Sequence, residues 1–147
     1  MKSVTKALTI VALSVATSTF GQKIASTAVP AAVMTKFQKD FPSVKDAEWK
    51  MDGVNYHVDF EIARKDVDVW YSPQAKFIKK ESELVQEYLP KEVIAVIDSN
   101  YKDYKTDDVK KFVVGSTVTY VVELEATGKD LKVTFDKTGK VLNSVPK

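Results

Sequence analysis

Apolar residues recur along this chain with two different periods, and the change from one to the other happens twice. Val33, Phe37 and Phe41 fall on every fourth position behind Pro30, and Val93, Ile97 and Tyr101 do the same behind Pro90. This spacing lays one apolar stripe along a helix, with Pro near its first turn, where a missing N–H costs nothing. Pro42 closes the first helix, and the polar Lys102-Asp103 leads out of the second.

After each helix the period drops to two. Ala47, Trp49 and Met51 alternate with Glu48 and Lys50 up to the turn signal Asp52-Gly53. Tyr56, Val58, Phe60 and Ile62 then alternate with His57, Asp59 and Glu61, and Val67, Val69 and Tyr71 with Asp68 and Trp70. In the second half Val109, Lys111 and Val113 mark a weak first strand. Tyr120, Val122 and Leu124 face inward against Thr119, Val121 and Glu123, and Leu131, Val133 and Phe135 complete the set. Ser72–Ala75 and Asp136–Gly139 read as matching turns into short fourth strands at Phe77-Ile78 and Val141-Leu142.

The two halves therefore repeat one plan. The offset between them grows from sixty residues at the helices to sixty-four at the later strands, which places the extra four in the helix-to-strand and first-hairpin region of the second copy. Clean alternation means a sheet with one face covered and one wet. The fold class is α+β: a tandem duplication of a helix followed by three to four antiparallel strands, forming one continuous antiparallel sheet with both helices on one face. No Gly/Ser/Pro-rich linker separates the copies, about 22–80 and 81–147, so they read as a single domain.

The first 21 residues stand outside this pattern. Lys2 and Lys6 precede the apolar Ala7–Ala16, and Thr19-Phe20-Gly21 has small residues at the positions a signal peptidase requires. The segment reads as a secretory signal peptide, too short to span a bilayer, which needs about 20 apolar residues. No Cys is present, so neither a lipoprotein anchor nor a disulfide is expected; the destination is the periplasm or the outside. Residues 22–147 are long enough to bury roughly two thirds of their unfolded surface.

Charge changes with that cleavage. The whole chain carries 22 Lys+Arg against 20 Asp+Glu. Loss of Lys2 and Lys6 equalises them, leaving no basic excess for nucleic acid.

Candidate chemistry is sparse. His57, the single His, lies on a strand among Asn55, Asp59 and Glu61, and no G-x-S-x-G motif accompanies it, so no enzyme is expected. Asp59 and Glu61 share one strand face, where a charged solvated surface is a simpler reading than a pair of catalytic carboxylates. His57 with Asp59, or Asp66 with Asp68, would support weak Ca²⁺ binding; no EF-hand or H-E-x-x-H pattern is present, and no cofactor or structural metal is expected. Trp49 and Tyr56 share the parity of the core. Trp70 has the parity of Asp68 on the wet face, the position of an exposed interface anchor.

The Val29-Pro30 and Leu89-Pro90 steps that open the helices, the turns ending Ala75-Lys76-Phe77 and Gly139-Lys140-Val141, the signal peptide and the absence of Cys together resemble the β-lactamase-inhibitor-like, PepSY-like family of secreted bacterial proteins. The resemblance covers nearly all of residues 22–147. It implies tandem helix-plus-strands units in one antiparallel sheet, as in the β-lactamase inhibitor protein, whose sheet face holds its target enzyme. It implies no established activity for the wider family. The inhibitor's repeats are disulfide-stapled and its target-contacting loop residues match no positions here, so no functional residue carries over and inhibition of a β-lactamase is not expected.

The resulting expectation is a non-enzymatic secreted or periplasmic binding protein, inhibitor-like in manner. Its open sheet face, with Glu48, His57, Asp59, Glu61, Asp68, Trp70, Glu123 and Lys132, would meet an unknown protein or small ligand. The alternative is a small-ligand or Ca²⁺-responsive envelope module using the same carboxylates. Neither involves nucleic acid or insertion into a membrane.

Overall fold

The computed structural model describes residues 21–147, so the signal-peptide reading of residues 1–21 lies, but for Gly21, outside the described residues. A short strand β1 (Gln22–Ile24) and a 3-10 turn (Ser26–Ala28) lead into helix α1 (Ala31–Asp40). Strands β2 (Glu48–Asp52), β3 (Asn55–Ile62), β4 (Lys65–Tyr71) and β5 (Phe77–Glu83) follow. A second 3-10 turn (Gln86–Tyr88) then leads into α2 (Lys91–Asn100) and strands β6 (Lys105–Val114), β7 (Thr117–Glu125), β8 (Leu131–Asp136) and β9 (Val141–Pro146). The nine strands hydrogen-bond in chain order, each antiparallel to the next.

The helices begin and end where the sequence places their signals. Pro30 and Pro90 occupy the N-cap positions with nearly identical backbone angles, and each follows a buried residue, Val29 or Leu89. Each helix is ten residues long and buries two side chains, Val33 and Phe37 in α1, Val93 and Ile97 in α2. Burying each contributes about 1.5–3 kcal/mol. Phe41 and Tyr101 stand just past the helix ends, donating their backbone N–H groups to the carbonyls of Phe37 and Ile97.

Beneath each helix lies its own apolar cluster. Val33 and Phe37 pack with Trp49, Val58, Phe60, Val67, Val69 and Tyr71, and Val93 and Ile97 with Val109, Tyr120, Val122, Leu124, Val133 and Phe135. The sheet is continuous, but the core is not. Where β5 meets β6, the helix-side positions are Lys80, Ser82, Lys111 and Val113.

Three strands depart from the expected pattern. β5 and β9 extend to Glu83 and Pro146, well beyond the two-residue strands expected, and β1 has no apolar alternation at all. Lys79–Glu83 is charged almost throughout, yet it pairs with β4 on one side and β6 on the other, and that double backbone ladder stabilises a strand without apolar parity. The four extra residues of the second half fall in its first hairpin: Trp49 pairs with Val58 across eight residues and Val109 with Val122 across twelve, whereas the Val58–Val69 and Val122–Val133 pairs enclose ten residues each.

The turns into β5 and β9 are built alike. Ser72 Oγ accepts from the N–H groups of Gln74 and Lys76, and Asp136 Oδ1 from those of Thr138 and Lys140. Gly139 has a φ of 85°, and a Cβ added there would lie 2.6 Å from the Glu92 carbonyl oxygen in α2. The β3–β4 turn instead places two non-glycine residues, Ala63 and Arg64, at φ 52° and 62°. This is the left-handed geometry a two-residue hairpin requires and glycine supplies without strain. Arg64→Gly is therefore expected to raise stability by about 1 kcal/mol, because its side chain is exposed and loses no packing. Gly139→Ala should lower it by about 1–3 kcal/mol through strain and overlap with α2. Urea unfolding compares both with the parent chain, and a shift of the same sign for the two variants would contradict the assignment.

Candidate functional site

Alternation in β2–β8 aims the second set of side chains away from both helices. Strand register arranges those side chains in rows. Glu48 stands opposite Asp59, Asp59 opposite Asp68, and Asp68 opposite Glu81, so four acids cross four strands side by side. Like charges directly opposite one another repel, and here each finds a cation or a hydrogen-bond donor. Lys23 Nζ is 2.6 Å from Glu48; Lys50 Nζ is 2.6 Å from Asp59 and 3.4 Å from Glu48. His57 Nε2 lies 2.6 Å from Asp68 Oδ1, and Lys110 Nζ 3.0 Å from Glu81. Hydrogen bonding to Lys23, then to Lys50, holds the Glu48 carboxyl below its ordinary range, while Asp59 raises the pKa of Lys50.

A second row runs Lys50, His57, Trp70, Lys79. The Trp70 indole stacks on His57 with ring centroids 4.2 Å apart and planes 1° from parallel, and Lys79 Nζ lies 4.0 Å from the indole centroid. Its Nε1 donates to Asp52 Oδ2 at 2.8 Å. Trp70 is consequently 8% exposed. Parity places it on the open face as expected, but the exposed anchor is corrected to a ring covered by residues from the strands on either side. His57 is likewise pinned between Trp70 and Asp68, with its side chain 16% exposed, and is no freely solvated strand residue.

In the second half of the face, Glu123 accepts from Lys132 at 3.1 Å and from Lys147. Phe112, Val121, Thr134, Asn143 and Val145 border a depression of about 240 Å³ whose other walls are the charged Glu81, Asp108, Lys110, Glu123 and Lys132. Glu61, at the other end, is exposed and borders a polar cavity of about 880 Å³ with Asp46, Glu48 and Asp59. The expected site residues thus fall into two groups: Glu48, His57, Asp59, Asp68 and Trp70 with Glu61 at their exposed margin, and Glu123 with Lys132.

Sequence reasoning missed Lys50, Asp52, Lys79, Glu81, Lys110 and Lys147. Lys50 and Asp52 were accessible through their parity with Glu48. The others depend on strands and register that apolar patterning does not reveal.

His57, Asp59 and Asp68 each offer one ligand atom, all within 4.8 Å of one another. Three such atoms fall short of the roughly six to eight oxygens that Ca²⁺ takes. A cation there would also compete with Lys50 for Asp59 and with the His57–Asp68 hydrogen bond. Among the described residues no hydroxyl hydrogen-bonds to His57, whose close partners are a carboxylate and an indole.

An antiparallel sheet backed by two helices, with its other face left open, defines an α+β sheet-face scaffold. The chain belongs to the family described as putative beta-lactamase-inhibitor-like, PepSY-like, which its residues 16–79 and 55–143 match. No curated protein matches it. Among solved structures it is similar to a BLIP-like protein from Bacteroides fragilis, with 26% identity and a TM-score of 0.68 over 80% of this chain and 85% of that one. It is also similar to a DUF2874 family protein from Bacteroides uniformis, at 21% identity and a TM-score of 0.69 over 80% and 88%. A protein from Bacteroides eggerthii described as a putative periplasmic protein matches at 20% and 0.69 over the same shares. No helix among the described residues is long and apolar enough to cross a membrane.

Two outcomes follow from the geometry. Trp70→Ala should cost about 3 kcal/mol in urea unfolding, in the range for deleting a buried aromatic; an unchanged midpoint would mean that the indole packs loosely. The Glu123 carboxyl is held below its ordinary range, first by hydrogen bonding to Lys147 and then to Lys132. A depressed folded pKa stabilises above the ordinary carboxylate value and is lost as pH falls through the folded value. Glu123→Gln should therefore be less stable than the parent at neutral pH, by under about 1 kcal/mol for a surface pair, and the gap should close on acidification. A gap independent of pH would rule out the ion pairs as its source.

Proposed function

We propose that the protein is a non-enzymatic, secreted or periplasmic binding protein that presents the open sheet face to a protein or ligand, in an inhibitor-like manner. On this reading residues 1–21 are a signal peptide and 22–147 a single domain of two repeats. The periplasmic description of the Bacteroides eggerthii relative and the BLIP-like name of the Bacteroides fragilis relative support it.

One observation carries the proposal: the open face is already organised by its own ion pairs. The Glu48–Asp59–Asp68–Glu81 row is tied down by Lys23, Lys50, His57 and Lys110. Side chains held this way have less freedom to lose on association, which is a principal cost of binding. The charged half gives register and orientation, and Phe112, Val121 and Val145 offer apolar area to a partner. The Ca²⁺-responsive alternative has the His57, Asp59 and Asp68 grouping in its favour.

Thr119→Arg and Thr134→Arg put bulk and charge on the open face without touching either apolar cluster. A partner captured from periplasmic extract by the parent should be lost by both variants at unchanged melting temperature, while Lys91→Glu on α2 should retain it. Retention by the arginine variants would refute the face assignment. Calcium-dependent heat in calorimetry that Asp68→Asn abolishes, without any partner, would favour the alternative.

A further inference from the structure

On the opposite side of the sheet, where the first unit passes into the second, lies a groove of about 510 Å³. Its walls are Phe41, Ile62, Val67, Leu84, Val85 and Tyr88. The groove belongs to neither unit alone, since β3 and β4 supply one side and the segment leading into α2 the other. Ile62, Val85 and Tyr88 are 45%, 37% and 76% exposed, so apolar residues left in solvent gather here. The volume falls within the ~300–1,000 Å³ usual for small-molecule sites.

Two lysines, Lys65 and Lys80, line it as well. Lys80 is half-buried on the groove wall, with its Nζ 6.0 Å from the Phe41 ring centroid. Its register neighbours on the helix side are Val69 and Val113, and Lys111 is the charge that acts on it. Among the described residues no carboxylate pairs with Lys80 or Lys111. Glu83 borders the groove, but its side chain has the parity of Glu81 and acts on Lys110 across the open face. Burial, with repulsion from Lys111 added, holds the Lys80 ammonium below its ordinary pKa. An unpaired, partly desolvated ammonium is costly. An anion with an apolar body relieves that cost and covers the exposed walls at once.

We propose that this groove binds a medium-chain aliphatic monocarboxylate, its chain along Phe41, Val67 and Leu84 and its carboxylate at Lys80. The site is independent of the open face, and neither repeat reproduces it, because the counterpart of Lys80 in the second unit is Ser144 on the penultimate stretch of the edge strand β9.

Calorimetry of the purified protein with decanoate tests it. Saturable one-to-one binding is expected, with Lys80→Met weakening it at least about tenfold, the scale of one charge-assisted hydrogen bond. The same variant should melt no lower than the parent, because it removes an unpaired charge. Tyr88→Glu, at an exposed rim position, should weaken binding through added negative charge without loss of fold. Equal binding of decyltrimethylammonium would overturn the proposal, since the charge would then be irrelevant, and so would equal binding of acetate, since the walls would be. Absence of decanoate heat also overturns it; a dimer that Tyr88→Glu dissociates would then assign the groove to a second copy of the chain.

Discussion

The structure depends on the antiparallel ladder between β5 and β6, which pairs Lys79 with Val114 and runs to Glu83 with Lys110. It joins two units whose apolar clusters share no buried residue. Sheets are ordinarily held in register by the side chains they bury, but this junction buries little. Its helix side carries Lys80, Ser82 and Lys111, and its open side the Lys110–Glu81 ion pair. Backbone hydrogen bonds flanked by polar side chains therefore make one nine-stranded sheet from what would otherwise be two four- or five-stranded ones. The continuous open face and the groove where the first unit passes into the second both result from that single join.

The period-two constraint explains how the two units came to differ. Residues facing the helices must fill a packed interior, where a change on one element obliges a change on another. Tyr71 donates its hydroxyl to Asp40 Oδ2 at the end of α1, at 3.0 Å. At the corresponding places in the second unit stand Phe135 and Asn100, so the hydroxyl and its charged acceptor have gone together. Burial and the Asp40 charge keep that hydroxyl protonated far above ordinary tyrosine behaviour, so it acts as a donor only. Outward residues are free of such coupling, and Asp68 and Trp70 stand where the second unit has Lys132 and Thr134.

Much of this was legible in the residues, for reasons that also mark the limit. The helices and β2, β3, β4, β7 and β8 announce themselves because each buries one face, and burial imposes a period. β5 escaped notice beyond its first two residues because its position between two other strands, and not its side chains, makes it a strand. Trp70 shows the same limit at the site. Its direction follows from parity within β4, whereas its burial is set by His57 and Lys79 on neighbouring strands and by Asp52 beyond them. A pattern along one strand determines which way a side chain points; what covers it is a property of register, and register between these strands rests on turns such as Ala63-Arg64 that carry no glycine signal.

The same distinction bears on where affinity can reside on the open face. Had Trp70 been exposed, the first unit would have supplied the anchor and the second only its surroundings. With the indole committed to His57, Lys79 and Asp52, the first unit presents a charge lattice in which Glu48, Asp59 and Asp68 are paired while Glu61 stands opposite Asp66. On the proposed reading such a surface orients a partner and discriminates against mismatched charge, but the desolvation of its paired groups offsets much of the Coulomb gain. On that reading the apolar contribution comes from the second unit, where Phe112, Val121 and Val145 share a depression with Thr134, Asn143 and the Glu123–Lys132 pair. On the same reading the first half supplies orientation and the second contact area, and the β5–β6 ladder joins them in one sheet.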